Sequence, residues 1–377
     1  MAHLNNLTLL HSNDLHGDFL TEKVNEKLVG GISMLSGYVS KVRAEIPNTL
    51  YCIAGDMLQG SIIDREFHGI STIEIMNMLA PDVATIGNHE VDYGLAHLLF
   101  LERCAKFPIV NANLYIKNPY TRLFQPQKIL KVDGMNIMFI GITTDDILAG
   151  LKGDILGSFV NLEQAAQEVG NICNAYKHID VDFTVLLTHI GYDEDQKLAA
   201  LLDPDWGVDV IIGGHTHTIL EHPAEVNGVL IAQAGIGTDQ IGRFDIVINT
   251  DTNSVDSYQW QLVPITPMTA PRDPEMEKII LSYQEETDQK YNRVICRFKH
   301  PLTHPSRYEE TELGDLLADI IGRETGVDIL MLGSGSVRKK QISTVLRLQE
   351  LIELFPYDDK LIQLTVTGRQ FRQMLRH

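Results

Sequence analysis

From residue 7 to about residue 262, short apolar runs alternate with segments whose apolar residues recur at helical spacing. Several runs are continuous, which is typical of strands covered on both faces. These runs predict strands over residues 7–10, 50–54, 83–86, 109–112, 137–142, 183–187, 208–212 and 229–232. The helical spacing predicts helices over residues 32–44, 72–79, 95–105 and 162–176. This alternation predicts an α/β domain, which an antiparallel pair at 244–248 and 257–263 closes.

The pattern changes near residue 264. Four prolines fall within residues 264–274, and a strongly polar helical pattern follows over residues 275–291. This composition predicts a partly helical linker over residues 264–290. It separates a larger domain, residues 1–263, from a smaller α/β domain, residues 291–377. In the smaller domain the pattern predicts helices at 313–324 and 348–354, strands at 328–332 and 360–366, and a last helix from residue 369.

The composition is that of an ordinary globular protein, with 44% hydrophobic and 21% charged residues among 377. The formal net charge of −19 argues against nucleic-acid polymers and anionic membranes as partners, because both favour basic surfaces. No apolar stretch is long enough to span a bilayer. The first residues show no export signal, which predicts a cytoplasmic protein, with a periplasmic or extracellular protein that has lost its signal as the alternative. Whether the protein is a monomer or a dimer is left open.

Residue types that bind metal ions follow five of the apolar runs. Asp14 and His16 follow the first run, and alternate side chains of an extended segment project to the same side, so both can hold one ion. Asp56 ends the second run as Gly-Asp, and a carboxylate can bridge two cations about 3.5–4 Å apart. The other candidates, each just after a predicted strand, are Asn88, His189, His215 and His217. Carboxyl ends of strands are the usual location of sites in α/β sheets.

The order of these blocks resembles the calcineurin-like metallophosphoesterases, with Asp-x-His, Gly-Asp, Gly-Asn-His-Glu, His and Gly-His-x-His in turn. The resemblance covers roughly residues 5–250 and implies a four-layer sandwich of two β-sheets flanked by helices. It implies that one ion is held by Asp14, His16, Asp56 and His217, and the other by Asp56, Asn88, His189 and His215. Asn88 would also contact the substrate.

The ligand types bear on the metal and on the reaction. Imidazole and carboxylate ligands without thiolate suit Zn, Mn or Fe and disfavour Ca. Two ions sharing Asp56 would share a water and lower its pKa, so that hydroxide attacks phosphorus in line. His89 is not needed as a ligand and is a candidate for stabilising the transition state or protonating the departing oxygen. Asp92 either orients the His89 ring or caps the helix that follows.

The second segment resembles the C-terminal domain of the 5′-nucleotidase family over residues 300–377. The resemblance rests on residues 312–319, 325–329, 333–338, 354–357 and 364–368. In the family that domain holds the nucleoside. The resemblance therefore implies that Arg307, Arg338 and Tyr357 bind the substrate. The Tyr357 ring would stack on a base or would belong to the domain core, and surface ion pairs are the alternative for both arginines.

Two departures from the family bear on this domain. Gly333-Ser334 stands where the family usually has Asn before its Gly-x-x-Arg turn. The family domain also continues beyond the helix in which this sequence ends, and its second base-stacking aromatic lies there. We therefore expect the substrate-binding domain to be incomplete, or its nucleotide site to close differently.

Taken together, these features predict a dinuclear-metal phosphoester hydrolase of nucleotide catabolism, a 5′-nucleotidase that converts nucleoside monophosphate to nucleoside and phosphate. A 2′,3′-cyclic nucleotide phosphodiesterase or a nucleotide-sugar pyrophosphatase would use the same centre. A non-catalytic nucleotide-binding protein would keep the scaffold without turnover. The predicted cofactors are two divalent ions, and the predicted partner is a nucleotide or another small phosphoester.

Overall fold

The computed structural model describes residues 3–24, 27–117, 120–147, 156–159, 161–356 and 360–376. The α-helices of these residues are α1 Ile32–Glu45, α2 Ile62–Glu66, α3 Ile70–Leu79, α4 Leu95–Cys104, α5 Leu162–Ala175, α6 Tyr192–Leu201, α7 Pro274–Tyr291, α8 Glu312–Thr325, α9 Leu348–Leu354 and α10 Gly368–Met374. Short 3₁₀ turns span His89–Val91, Pro204–Trp206 and Ser334–Ser336. In the part of the chain that is described, no helix is both long and apolar enough to cross a membrane.

The strands of the first half are β1 Leu4–Ser12, β2 Glu22–Val24, β3 Lys27–Val29, β4 Thr49–Ala54, β5 Val83–Thr85, β6 Ile109–Val110, β7 Leu114–Lys117, β8 Tyr120–Arg122, β9 Gln127–Val132 and β10 Met135–Thr143. They are followed by β11 Leu156–Phe159, β12 Phe183–His189, β13 Val210–Ile212, β14 Ala224–Val226, β15 Val229–Ala232, β16 Gln240–Asn249, β17 Ser254–Pro264, β18 Val294–Arg297, β19 Leu302–Thr303, β20 Gln341–Ile342 and β21 Val345–Arg347.

Two six-stranded sheets carry the fold. The first has the strand order β17-β16-β1-β4-β5-β6, and the second has the order β14-β15-β13-β12-β10-β9. Strands β1, β4, β5 and β6 are parallel in the first sheet, as are β10, β12, β13 and β15 in the second. All eight strands predicted from apolar runs form in these two sheets, and the predicted closing pair is β16 and β17.

The core lies between the two sheets. Side chains such as Leu9, Phe244, Phe139 and Phe183 fill the space there, drawn from strands of both sheets. The other face of the second sheet packs against α5 and α6 through a separate apolar cluster, while α1 contacts β4 of the first sheet. The predicted sandwich of two sheets flanked by helices is confirmed. Continuous apolar runs arise because each parallel strand is covered on both faces.

The chain divides into two compact units, Met1–Thr287 and Asp288–His377. The residues before α7 pack on α1 in the first unit, where the Ser33 and Ser36 hydroxyls donate to the Asp273 carbonyl and carboxylate at 2.9 and 2.7 Å. Gly37 permits this approach, since a Cβ there would lie 1.8 Å from the Pro271 oxygen. Much of the predicted linker therefore lies within the first unit. The domain limits themselves stay a prediction.

The second unit holds a small apolar cluster around α8 and α9. Both predicted helices, 313–324 and 348–354, form there, as does the last helix. The strands predicted at 328–332 and 360–366 are wrong, because neither segment pairs with another described strand. An apolar segment makes a strand only where a neighbour supplies the ladder of hydrogen bonds. Here Met331 and Ile362 remain 59% and 81% exposed.

Candidate metal centre

The carboxyl ends of five strands meet at one end of the sandwich, and each contributes predicted ligands. They are Asp14 and His16 after β1, Asp56 after β4, Asn88 after β5, His189 at the end of β12, and His215 and His217 after β13. Three sets of these side chains, with His89, have ligand atoms within 4.8 Å of one another. The sets are Asp14–His16–His217, His16–Asp56–His89 and Asp14–Asp56–His189. These sets include five of the seven predicted ligands, and Asn88 and His215 contact each other beside them.

Two imidazoles and a carboxylate form one side of the centre. The Nε2 atoms of His16 and His217 lie 3.1 Å apart, and His217 Nε2 lies 3.3 Å from Asp14 Oδ1. His16 Nδ1 donates to the Gln59 carbonyl oxygen at 2.8 Å, so this nitrogen carries the proton in the neutral ring. The lone pair of His16 Nε2 therefore points at a second imidazole nitrogen. A cation between them satisfies both.

The other side of the centre is built on His189. Its Nδ1 donates to the Ala54 carbonyl at 2.8 Å, which leaves the Nε2 lone pair 3.1 Å from Asp56 Oδ2. Asn88 Oδ1 lies 2.9 Å from His215 Nδ1. His189 and Asp56 are almost fully buried, and a lone pair that faces a carboxylate there requires a proton or a metal cation between them.

The pKa shifts of His189 and Asp56 also indicate that these buried groups require a positive charge among them. Burial lowers the pKa of His189, but Asp56 and Asp14 overcome it and raise that pKa to about 10. Burial raises the pKa of Asp56, but His189, His89 and His16 together bring it well below its ordinary value. A proton on His189 thus balances the buried carboxylates, and metal binding displaces such protons. The residues fit divalent ions.

The backbone of the ligand loops is strained. Five of the seven predicted ligands have φ between 49° and 82°, namely Asp14, His16, Asp56, His215 and His217. Residues other than glycine seldom adopt this region, and those that do cluster at active sites. Two motif glycines allow the ligands to approach. A Cβ on Gly55 would lie 2.5 Å from His189 Nδ1, and one on Gly87 would lie 2.2 Å from Asp56 Oδ1.

His89 lies beside the ligands and contacts Asp92. Its Nδ1 is 2.7 Å from Asp92 Oδ2, which also accepts a hydrogen bond from Gln59 Nε2 at 3.1 Å. Helix α4 begins after Gly94 without a side-chain cap, so Asp92 contacts the imidazole and does not cap that helix. The His89 amide donates to Asp56 Oδ1 at 2.9 Å, which fixes His89 relative to the centre.

Sequence reasoning missed Glu90 and Asn13. Glu90 is buried and accepts hydrogen bonds from the amides of Gly87, Asp56 and Met57, so one carboxylate holds two ligand loops. Asn13 donates to Asp14 Oδ2 at 2.7 Å and accepts from the Ala234 amide at 2.8 Å. Asn13 precedes the predicted ligand Asp14, and Glu90 ends the Gly-Asn-His-Glu block that contains the predicted ligand Asn88. Which backbone groups they bind was not readable from the sequence.

The predicted substrate-binding arginines lie in the second unit. The exposed Arg307 side chain reaches the 3₁₀ turn before Arg338, with Nη1 3.7 Å from where a Cβ on Gly335 would lie. The Arg338 amide donates to the Leu354 carbonyl at 2.9 Å. Tyr357 lies outside the described residues. The roles of these three residues in binding substrate stay predictions.

Comparison with protein families matches both parts of the chain. A calcineurin-like phosphoesterase model matches residues 7–218, and a 5′-nucleotidase C-terminal domain model matches residues 294–377. The first match covers more than half of the chain, which therefore belongs to the calcineurin-like phosphoesterase family. That family uses divalent metal ions, in keeping with the convergent ligands described above.

Two related proteins and one solved structure resemble this chain over most of its length. Snake venom 5′-nucleotidase of Crotalus adamanteus is 25% identical, across 98% of this chain and 70% of that protein. The trifunctional nucleotide phosphoesterase protein of Bacillus subtilis is 26% identical, across 98% of this chain but only 27% of that protein. The crystal structure of a 5′-nucleotidase precursor from Thermus thermophilus is 27% identical with a TM-score of 0.83, covering 93% of this chain and 74% of that chain.

These matches settle the class of the protein. The predicted resemblance is confirmed, and the chain is a metal-dependent phosphoester hydrolase of the 5′-nucleotidase kind. The chain spans between about a quarter and three quarters of the length of the proteins it was compared with above. Its own substrate, its metal and the roles of single residues follow as proposals.

Proposed function

We propose that the chain hydrolyses nucleoside 5′-monophosphates to nucleoside and phosphate at a centre of two divalent metal ions. The observation that carries this proposal is the convergence of imidazole nitrogens and carboxylate oxygens at five strand ends, where the buried His189 Nε2 atom lies 3.1 Å from Asp56 Oδ2. The Nε2 atoms of His16 and His217 lie 3.1 Å apart beside Asp14. A divalent cation bound by both nitrogens and by Asp14 accounts for this geometry, and in the metal-free chain an N–H···N hydrogen bond between the two rings holds the same place.

The ligand assignment divides the centre into two halves. One ion would be held by Asp14, His16, Asp56 and His217, and the other by Asp56, Asn88, His189 and His215. Asp56 is assigned the bridging role because its Oδ2 lies 3.1 Å from His189 Nε2 and 3.7 Å from His16 Nε2, which belong to different ions in this assignment. Mixed imidazole and carboxylate ligands favour Zn, Mn or Fe. When bound, such a pair supplies a nucleophile at neutral pH and neutralises charge on the phosphoryl oxygens.

His89 handles the proton of the leaving group. Its Nδ1 is held by Asp92 at 2.7 Å, so the ring orientation is fixed and Nε2 is the atom that donates to the departing oxygen. Gln59 steadies Asp92 from the other side. His89 is 16% exposed, in contrast to the fully buried His189, so substrate can reach it. Asn88, next to it, would contact the phosphate as well as an ion.

The second unit supports a nucleotide as the substrate. Its sequence matches the C-terminal domain of 5′-nucleotidases, and both curated relatives are named for action on nucleotides. We assign nucleoside or phosphate contacts to Arg307 and Arg338 and base stacking to Tyr357. On this proposal residues 1–263 form the catalytic domain, residues 264–290 link it, and residues 291–377 bind substrate.

The test is a phosphate-release screen of the metal-supplemented protein over AMP, UMP, 2′,3′-cAMP, UDP-glucose and bis-p-nitrophenyl phosphate. We expect kcat/KM to be greatest for the nucleoside monophosphates and to vanish after chelation with EDTA. Preference for 2′,3′-cAMP or UDP-glucose would replace the monophosphate assignment by a cyclic phosphodiesterase or a pyrophosphatase. Preference for bis-p-nitrophenyl phosphate over every nucleotide would overturn the nucleotide assignment and leave the hydrolase intact.

A further inference from the structure

Two polar side chains lie buried behind the ligand loops, outside the centre itself. Asp195 belongs to the first turn of α6, and Gln233 follows β15, and neither is exposed to solvent. Asp195 Oδ1 accepts a hydrogen bond from Thr188 Oγ1 at 2.6 Å. Its Oδ2 accepts one from Gln233 Nε2 at 3.0 Å. Asp195 thus connects the residue next to His189 with a side chain beside the following ligand loop.

Gln233 continues this connection into the loop that carries His215 and His217. Its Nε2 also donates to the Gly214 carbonyl at 3.3 Å. Its Oε1 accepts from the Thr218 amide at 3.3 Å. Gly214 and Thr218 immediately flank the two histidines. One glutamine therefore fixes both ends of the segment that places two predicted ligands.

Close packing allows the Asp195 and Gln233 side chains only one arrangement. A Cβ on Gly213 would lie 2.0 Å from Asp195 Oδ2 and 2.7 Å from Gln233 Nε2, so both side chains press against the backbone of that strand end. The amide orientation is fixed by its partners, since Nε2 faces two acceptors and Oε1 faces an amide donor. Burying a carboxylate whose donors, Thr188 and Gln233, are both neutral costs free energy of folding.

We propose that Asp195 and Gln233 are positioning residues that hold the His189 strand end and the His215–His217 loop in the geometry that binds the metal ions. This inference rests on the proposed dinuclear centre. Partners behind a ligand orient it, and their replacement typically lowers metal affinity or activity about 10–100-fold. Asp195 acts through Thr188 on one loop and through Gln233 on the other. The acids Asp193 and Glu194, which precede it, do not enter this network.

The direct test is the Mn²⁺ affinity of the metal-free Asp195→Asn protein, measured by calorimetry well below its unfolding temperature. The new amide places its N–H₂ group against Gln233 Nε2 or, turned round, against Thr188 Oγ1. In the second case the hydroxyl gives up its donation to position 195 and turns its hydrogen to the Ile212 carbonyl at 3.4 Å, so each arrangement changes the contacts that place a ligand loop. We expect affinity to fall about 10–100-fold. Asp193→Asn removes the same charge from an exposed position of the same helix and is expected to bind like wild type.

A second variant separates positioning from general stability. Thr188→Val cuts the link between Asp195 and the His189 strand end without changing Gln233, and we expect it too to lower Mn²⁺ affinity. Thr188→Val removes one hydroxyl at nearly constant volume and serves as a further test if Asp195→Asn does not fold. Wild-type affinity in Asp195→Asn, or in Thr188→Val if Asp195→Asn does not fold, would overturn the inference. Absence of Mn²⁺ or Zn²⁺ binding by the wild-type chain would instead overturn the proposed centre.

Discussion

Replacing Asp56 by Asn is expected to lower kcat for AMP hydrolysis by about 10³-fold or more. Asp56 Oδ2 lies 3.1 Å from His189 Nε2 and 3.7 Å from His16 Nε2, so one carboxylate serves both halves of the centre. An amide has one acceptor oxygen and no negative charge, and it cannot bridge two cations in the same way. The measurement is steady-state phosphate release at saturating metal, with circular dichroism to establish that the variant is folded.

The matched control for this prediction is Asp251→Asn. Asp251 is an exposed carboxylate that pairs with His3, far along the chain from any predicted ligand. We expect its kcat to match wild type. Turnover by Asp56→Asn within tenfold of wild type would remove the bridging role from Asp56.

Replacing His89 by Asn is expected to lower kcat about 10²–10³-fold while the bound metal stays the same. His89 is held by Asp92 through Nδ1 and contributes its backbone amide to Asp56, and asparagine preserves that amide. The expected drop in kcat therefore comes from the loss of proton transfer to the leaving oxygen. It is measured as kcat for AMP together with metal content per chain.

The same measurement distinguishes His89 from a ligand. His222→Asn changes an exposed histidine away from the centre and should leave both kcat and metal content unchanged. A His89→Asn variant that loses metal in proportion to its activity would make His89 a ligand. Full activity in that variant would exclude any catalytic role for it.

The sheet architecture was predictable because its signal is local. A parallel strand covered on both faces requires a continuous apolar run, and runs such as 183–187 have few alternative explanations. The ligands were predictable for a related reason. Asp56 and His189 come directly at the ends of such runs, where strand ends converge, and the order of the blocks matched a known family. Their closeness to one another therefore followed from topology.

The supporting contacts were not predictable in the same way. Asp195 stands in an acidic triplet that reads as a helix terminus, and only the packing of α6 against the second sheet buries it beside Thr188. The left-handed backbone of Asp14 and His217 is likewise a property of the closed loops, not of a sequence pattern. Long-range contacts of single side chains carry no periodic signal.

In the second unit, the sequence pattern predicted two strands that do not form. Residues 328–332 and 360–366 are rich in apolar residues, as strands are, but neither segment pairs with another described strand. The apolar pattern of a segment indicates which element it can form when a suitable strand lies beside it. It does not report whether the neighbour is present, which is why a pattern that succeeded for β1 and β12 failed there.

The central claim is that two divalent ions act together in this chain. Its most direct test is a titration of the metal-free protein with Mn²⁺, and in parallel with Zn²⁺, in which bound metal and phosphate release from AMP are followed in the same samples. We expect activity to rise to its plateau at two ions per chain and to return to the baseline after chelation. Full activity at one ion per chain, or activity that does not depend on added metal, would contradict the claim.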